Sequence, residues 1–129
     1  MKVLLDTHVW LWLQTRPERL NAAAMALLSH DDTVRIVSAV TVWEIAIKYG
    51  LGKLPLPSPP ETAIPAFVEA SGSTPLAVTY QHSIRAGALP YHHRDPFDRL
   101  LIAQAQVEGI PLMTVDRQFQ AYDVQLIAA

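Results

Sequence analysis

The chain contains no cysteine, so disulfides and thiolate chemistry are both excluded, which fits a reducing compartment. It also lacks any apolar run near the ~20 residues that a membrane span needs. Its N-terminus, MKVLLD, meets an acid after three apolar residues, and so carries no signal-peptide pattern. Positive charge is not in excess. The formal charge of -2 argues against a generally basic surface, although positive charge can be kept local and bound cations can offset carboxylates. There is no internal repeat and no low-complexity tract. What remains is a chain of 129 residues, half of them hydrophobic, expected to fold as one domain over 1–129 and to be a soluble cytoplasmic protein without membrane contact.

Acids at the ends of apolar runs are the most informative feature present. Val3, Leu4 and Leu5 form a short apolar run that stops at Asp6, as a strand buried on both faces would. Leu112 to Val115 reads as a second such strand, and it ends at Asp116. Between them, Asp95 and Pro96 mark a helix start, because an N-cap Asp accepts a free backbone N–H and Pro at the first helical position loses nothing. Asp98 then falls in the first turn of a helix whose apolar body runs from Leu100 to Val107 and is stopped by Gly109 and Pro111.

The rest of the chain alternates in the same way. Thr7 to Gln14 is a helix apolar almost all round, which is met either by burial within the fold or by a partner over Trp10 or Trp12. Pro17 to Leu28 reads as a helix, Asp31 and Asp32 as a turn, and Val34 to Val37 as a strand. Ser38 or Thr41 caps the next helix, whose only polar stripe is Thr41, Glu44 and Lys48 on one face. That stripe is either a solvated Glu44–Lys48 pair or the lining of a cleft. GLGKLPLPSPP, 50–60, reads as a surface loop. A helix over Glu61 to Ala70, a strand near Leu76 to Val78, a helix over Tyr80 to Ala88 and a last strand over Val124 to Ile127 complete the pattern. His92 and His93, in the loop Leu89 to Arg94, offer either a transition-metal site or, as is usual for adjacent loop histidines and expected here, solvated side chains. Alternating short buried strands and helices argue for a parallel α/β sheet covered on both faces. Ligands in such sheets gather beyond the carboxyl ends of the strands, where strand order reverses, and Asp6 and Asp116 are both expected at such ends.

Each acid also has a structural explanation. Asp95 is accounted for as a cap, Asp98 as an acid favoured by the helix dipole, and Asp116 as a cap of the turn from Arg117 to Tyr122. A receiver-like signalling domain is disfavoured, since it expects adjacent acids after the first strand, where this chain has Asp6 alone.

Taken together, LLDTHVWLW, VSAVTVWEIAIK, DPFDRLLIAQA and LMTVDRQF resemble the motifs of PIN-domain ribonucleases, in particular VapC-type toxins of toxin–antitoxin pairs. The likeness runs over nearly the whole chain in the family's order. It implies a PIN-like three-layer α/β domain with a five-stranded parallel sheet of order 3-2-1-4-5 flanked by helices. It also implies that Asp6, Glu44, Asp98 and Asp116 are the catalytic acids. Asp6, Asp98 and Asp116 are then direct or water-mediated ligands of Mg²⁺ or Mn²⁺, and Glu44 acts through water. Asp95 and Thr114 are accessory candidates, while Lys48, Arg99 and Arg117 are candidate phosphate contacts or ordinary solvated charges. The implied partners are an RNA substrate, a VapB-like antitoxin and a second copy of the chain.

Overall fold

In the computed structural model, which describes residues 1–129, the strand at the centre of the sheet is the first one, β1 (Lys2–Leu5). Val3, Leu4 and Leu5 are each fully buried, the result of an apolar run with no polar face to offer solvent. After β1 come α1 (Thr7–Thr15), a 3₁₀ turn (Pro17–Arg19), α2 (Ala22–Ser29), β2 (Val34–Ser38), α3 (Ala39–Gly50), α4 (Pro60–Ser71), β3 (Thr74–Leu76) and α5 (Tyr80–Ala88). The chain ends with α6 (Pro96–Glu108), β4 (Leu112–Thr114), a second 3₁₀ turn (Arg117–Ala121) and β5 (Leu126–Ala128). All strand pairs are parallel and the order is β3-β2-β1-β4-β5, as the resemblance implied.

Alternation along β1 divides the core in two. Val3 and Leu5 face a cluster with Val9, Trp10, Leu28, Ile45 and Met113, while Leu4 faces the opposite cluster with Ile36, Leu101, Ile102, Leu112 and Phe119. Helices therefore cover both faces, giving three layers. No helix is long and apolar enough to cross a membrane.

Several sequence expectations are corrected in detail. Pro17 to Leu28 is not one helix: Leu20 is extended and Asn21 starts α2 anew, its side chain accepting the Ala24 N–H at 2.7 Å. A cap whose backbone N–H also donates to Ala129 cannot continue the preceding turn. β3 begins earlier than expected because Gly72, at φ 60°, ends α4 and turns the chain at once into pairing with β2. β5 is shifted toward the C-terminus, where Ala128 pairs with Thr114. Ser38, not Thr41, caps α3 by accepting the Val40 N–H at 3.0 Å. Trp10 is fully buried, with its indole N–H donated to Ser73 Oγ at 3.0 Å. Trp12 is only partly buried and lies under the Arg19 guanidinium, so α1 is covered mainly by its own fold.

Candidate active site

From β1 the chain steps to β2 and β3 on one side, and β4 and β5 lie on the other, so strand order reverses between β1 and β4. The crevice at the carboxyl ends of these two strands is bordered by Asp6, which follows β1, and by Thr114 and Asp116, at and after the end of β4. The first turn of α6 adds Asp98 and α3 adds Glu44.

Asp6 is 3% exposed and held from two directions. Its Oδ1 accepts the Thr7 N–H at 2.7 Å, as N-cap of α1, and its Oδ2 accepts the Thr114 hydroxyl at 2.7 Å. Burial pushes its carboxyl above the usual 3.8, against the pull of these two hydrogen bonds. Thr114 Oγ1 also accepts the Asp116 N–H at 3.0 Å, and Asp116 Oδ1 accepts the Gln118 N–H at 2.9 Å. Thus Asp116 caps its turn while Oδ2 stays turned elsewhere.

That second oxygen meets His93, which is buried and not solvated, correcting the expectation for the loop histidines; His92 beside it is exposed. His93 Nδ1 accepts the Asp95 N–H at 3.2 Å, so a neutral ring carries its proton on Nε2. Nε2 lies 2.9 Å from Asp98 Oδ2 and 3.3 Å from Asp116 Oδ2. One N–H thus spans two carboxylates. The donor atoms of His93, Asp98 and Asp116 lie within 4.8 Å of one another.

The Asp98 carboxyl is pushed up to about 8, first by burial and then by the charges of Asp6, Asp95, Glu44 and Asp116. The charges of four neighbouring acids thus bear on Asp98, and the Asp98 and Asp116 carboxyls meet at His93 Nε2. Such a set is strained by its own repulsion, and an oxygen-rich donor group of this kind suits a divalent cation. With its proton on Nε2, His93 is a donor to the acids and not itself a ligand in this arrangement.

Glu44 is buried, which rules out a solvated pair. Its Oε1 accepts the Thr7 hydroxyl at 2.7 Å and its Oε2 accepts Lys48 Nζ at 2.6 Å. Since Thr7 donates to Glu44, the Thr41 hydroxyl at 3.2 Å donates to Thr7. The hydrogen bond to Glu44 in turn raises the Lys48 pKa and keeps its ammonium charged. With both oxygens occupied, Glu44 suits a role through water better than direct ligation.

The accessory candidates separate. Asp95 is the N-cap of α6, accepting the Phe97 N–H at 2.8 Å and the Asp98 N–H at 3.3 Å. Arg117 is exposed at the start of the second 3₁₀ turn. Arg99 is not available to phosphate: it is 6% exposed and its guanidinium donates to the carbonyls of Ala86, Leu89, Pro90 and His93 at 2.8 to 3.4 Å. Sequence reasoning missed Thr7, and it weighed His93 as a metal ligand but set it aside as a solvated loop residue. The usable signal for His93 was its place two residues before the Asp95 cap, where a side-chain acceptor can take that residue's N–H.

A family model described as a PIN domain matches residues 3–125. Among curated proteins, Ribonuclease VapC22 of Mycobacterium tuberculosis is 31% identical over 121 residues, covering 93% of this chain and 91% of that protein. Among solved structures, VapBC2 from Rickettsia felis, bound to a DNA fragment from its promoter, matches with a TM-score of 0.74 at 16% identity over 99% of this chain and 98% of that one. DNA-bound VapBC from Salmonella typhimurium gives 0.71 at 20% identity, with 99% and 98% covered. At such identities these two structures speak for the fold alone.

Proposed function

Because the chain belongs to the PIN-domain family, we propose that it is a metal-dependent endoribonuclease acting as the toxin of a toxin–antitoxin pair, a single domain over 1–129 working in the cytoplasm. Its substrate is RNA, its ion Mg²⁺ or Mn²⁺, and its protein partners a VapB-like antitoxin and a second copy of itself. The observation that carries the reading is the convergence of Asp98 and Asp116, whose carboxyl oxygens stand 2.9 and 3.3 Å from the same His93 Nε2, beside a buried Asp6.

Asp6, Asp98 and Asp116 are the residues that would hold the ion. A bound divalent cation lowers the pKa of a water nucleophile and offsets charge on the phosphate. The chain's own groups do the rest. Thr114 and the Thr7 N–H aim the two Asp6 oxygens, and the Asp95 N–H keeps the His93 proton on Nε2, between Asp98 and Asp116. Glu44, fixed by Thr7 and Lys48, orients water, while Lys48 retains N–H groups for phosphate at the rim, together with exposed Arg117.

The test is cleavage of mixed cellular RNA by the purified protein, with Mg²⁺ or Mn²⁺ and with excess EDTA. Cleavage that requires the ion and disappears in Asp116→Asn is expected. Equal cleavage in EDTA would overturn the reading.

A further inference from the structure

The segment between α5 and α6 is anchored far more firmly than a surface loop requires. From beneath, Arg99 donates to the carbonyls of Leu89, Pro90 and His93, and Tyr122 Oη donates to Pro90 O at 2.7 Å while accepting the His93 N–H at 2.8 Å. Asp95 N–H closes the far end on the His93 ring. Inward, this scaffold sends His93 to Asp98 and Asp116. Outward, it displays Tyr91.

Tyr91 is 78% exposed, yet its ring is not loose. The Arg99 guanidinium carbon lies 4.2 Å from the ring centroid, and that guanidinium is itself immobilised by four carbonyls. One face of the ring is therefore supported and the other is open to solvent. Tyr91 and His93 are two residues apart, so their Cα atoms lie at most about 7 Å from each other. Arg94, on the same segment, is exposed and makes no ion pair.

We propose that this segment is a preorganised nucleobase platform, in which the open face of Tyr91 stacks a base of single-stranded RNA beside the acid cluster and Arg94 meets the adjoining phosphate. The inference rests on the ribonuclease reading for the direction in which RNA lies, but its binding test does not depend on cleavage. An aromatic ring stacks on any base, and a cationic side chain next to it follows the backbone. A ring held before binding loses little freedom on binding, which is what the anchoring from beneath achieves. An apolar contact to protein would use the ring's area; stacking on a base uses its flat π face. Leucine and tryptophan substitutions separate these two uses.

The experiment measures binding of a short single-stranded oligoribonucleotide containing 2-aminopurine, with Ca²⁺ as the divalent ion. Wild type, Tyr91→Leu, Tyr91→Trp and Arg94→Gln are compared, with thermal melts and sedimentation run alongside. Tyr91→Leu is expected to weaken binding roughly 5- to 100-fold and abolish the quenching of 2-aminopurine, with Tyr91→Trp close to wild type. Arg94→Gln should reduce the salt dependence of binding. Melting temperature and oligomeric state should not move. Equal binding by Tyr91→Leu overturns the platform, as does failure of wild type to bind. A Tyr91→Leu variant that changes only the sedimentation behaviour assigns Tyr91 to a protein contact and overturns it as well. If wild type binds through Tyr91 but does not cut RNA with Mg²⁺, the platform stands and the nuclease reading fails. If it cuts while Tyr91→Leu binds and cuts equally well, the reverse holds.

Discussion

The Thr114 hydroxyl donates to Asp6 Oδ2 at 2.7 Å while accepting the Asp116 N–H at 3.0 Å, so one side chain on β4 ties together acids that follow two adjacent strands. Its methyl-for-hydroxyl isostere isolates this tie. Thr114→Val should leave Asp6 Oδ2 without its donor inside a buried site, lowering stability by about 1–3 kcal/mol and reducing RNA cleavage. Thr114→Ser should recover most of both. Denaturant melts and initial cleavage rates read the two effects, and a Thr114→Val protein with wild-type activity would show that the tie has no part in catalysis.

Asp6→Asn, Asp98→Asn and Asp116→Asn distinguish a metal site from a set of structural acids. Neutralising Asp98 should leave the metal-free fold as stable or more so, because its carboxyl is buried among four other acids, whereas Asp6→Asn also removes an acceptor from Thr7 or Thr114 and should cost about 1–3 kcal/mol. Wild type should melt higher with Mg²⁺, by about 2.7 kcal/mol at a hundredfold excess over the dissociation constant. Each variant should lose most of that gain together with activity. Asp95→Asn is the control: Asn caps nearly as well as Asp, so melting and the Mg²⁺ response should largely survive. An unchanged Mg²⁺ shift in Asp6→Asn or Asp116→Asn counts against the site.

The raised Asp98 carboxyl predicts an unusual pH dependence. With its folded pKa near 8 and an ordinary value of 3.8, the native state keeps a proton that the unfolded chain releases across that interval. Metal-free stability should therefore fall as pH rises from about 4 to about 8 and level off beyond, the opposite of a carboxylate stabilised by an ion pair. The raised Asp6 adds in the same direction. Mg²⁺ must displace this proton, so its affinity should rise with pH through the same window. Urea melts in EDTA and Mg²⁺ titrations test both slopes, and Asp98→Asn should flatten the first.

Arg99→Met should be the most destabilising of these changes, by about 3 kcal/mol or more, since it leaves several carbonyls of the 86–93 segment without donors. Arg99→Lys should rescue only part, because an ammonium lacks the planar fork that reaches four acceptors. Native-state hydrogen exchange on residues 89–95 would detect the loosening. Wild-type protection in Arg99→Met would refute this account of the loop.

What the sequence determined by itself is whatever depends on near neighbours. Apolar runs that stop at an acid made β1 with Asp6 and β4 with Asp116 readable, and Asp95 before Pro96 announced the cap of α6, because burial and capping act within a few residues. The sheet order and the four acids became legible through matching motifs, which carry the fold with them. Tertiary structure decided the residues whose side chains can be satisfied in more than one way. His93 and His92 are adjacent and chemically alike, yet one is buried against two acids and the other exposed, and only the packing of α6 and the turn after β4 beneath the loop separates them. Charge alone would place Arg99 in solvent, but four carbonyls of the preceding segment, 6 to 13 residues back and folded over its guanidinium, offset the cost of burial. Trp10 likewise found its cover in Ser73 and Phe67, more than fifty residues away. Burial of a polar or amphipathic group costs free energy unless partners meet it, and those partners come from parts of the chain that local pattern does not connect.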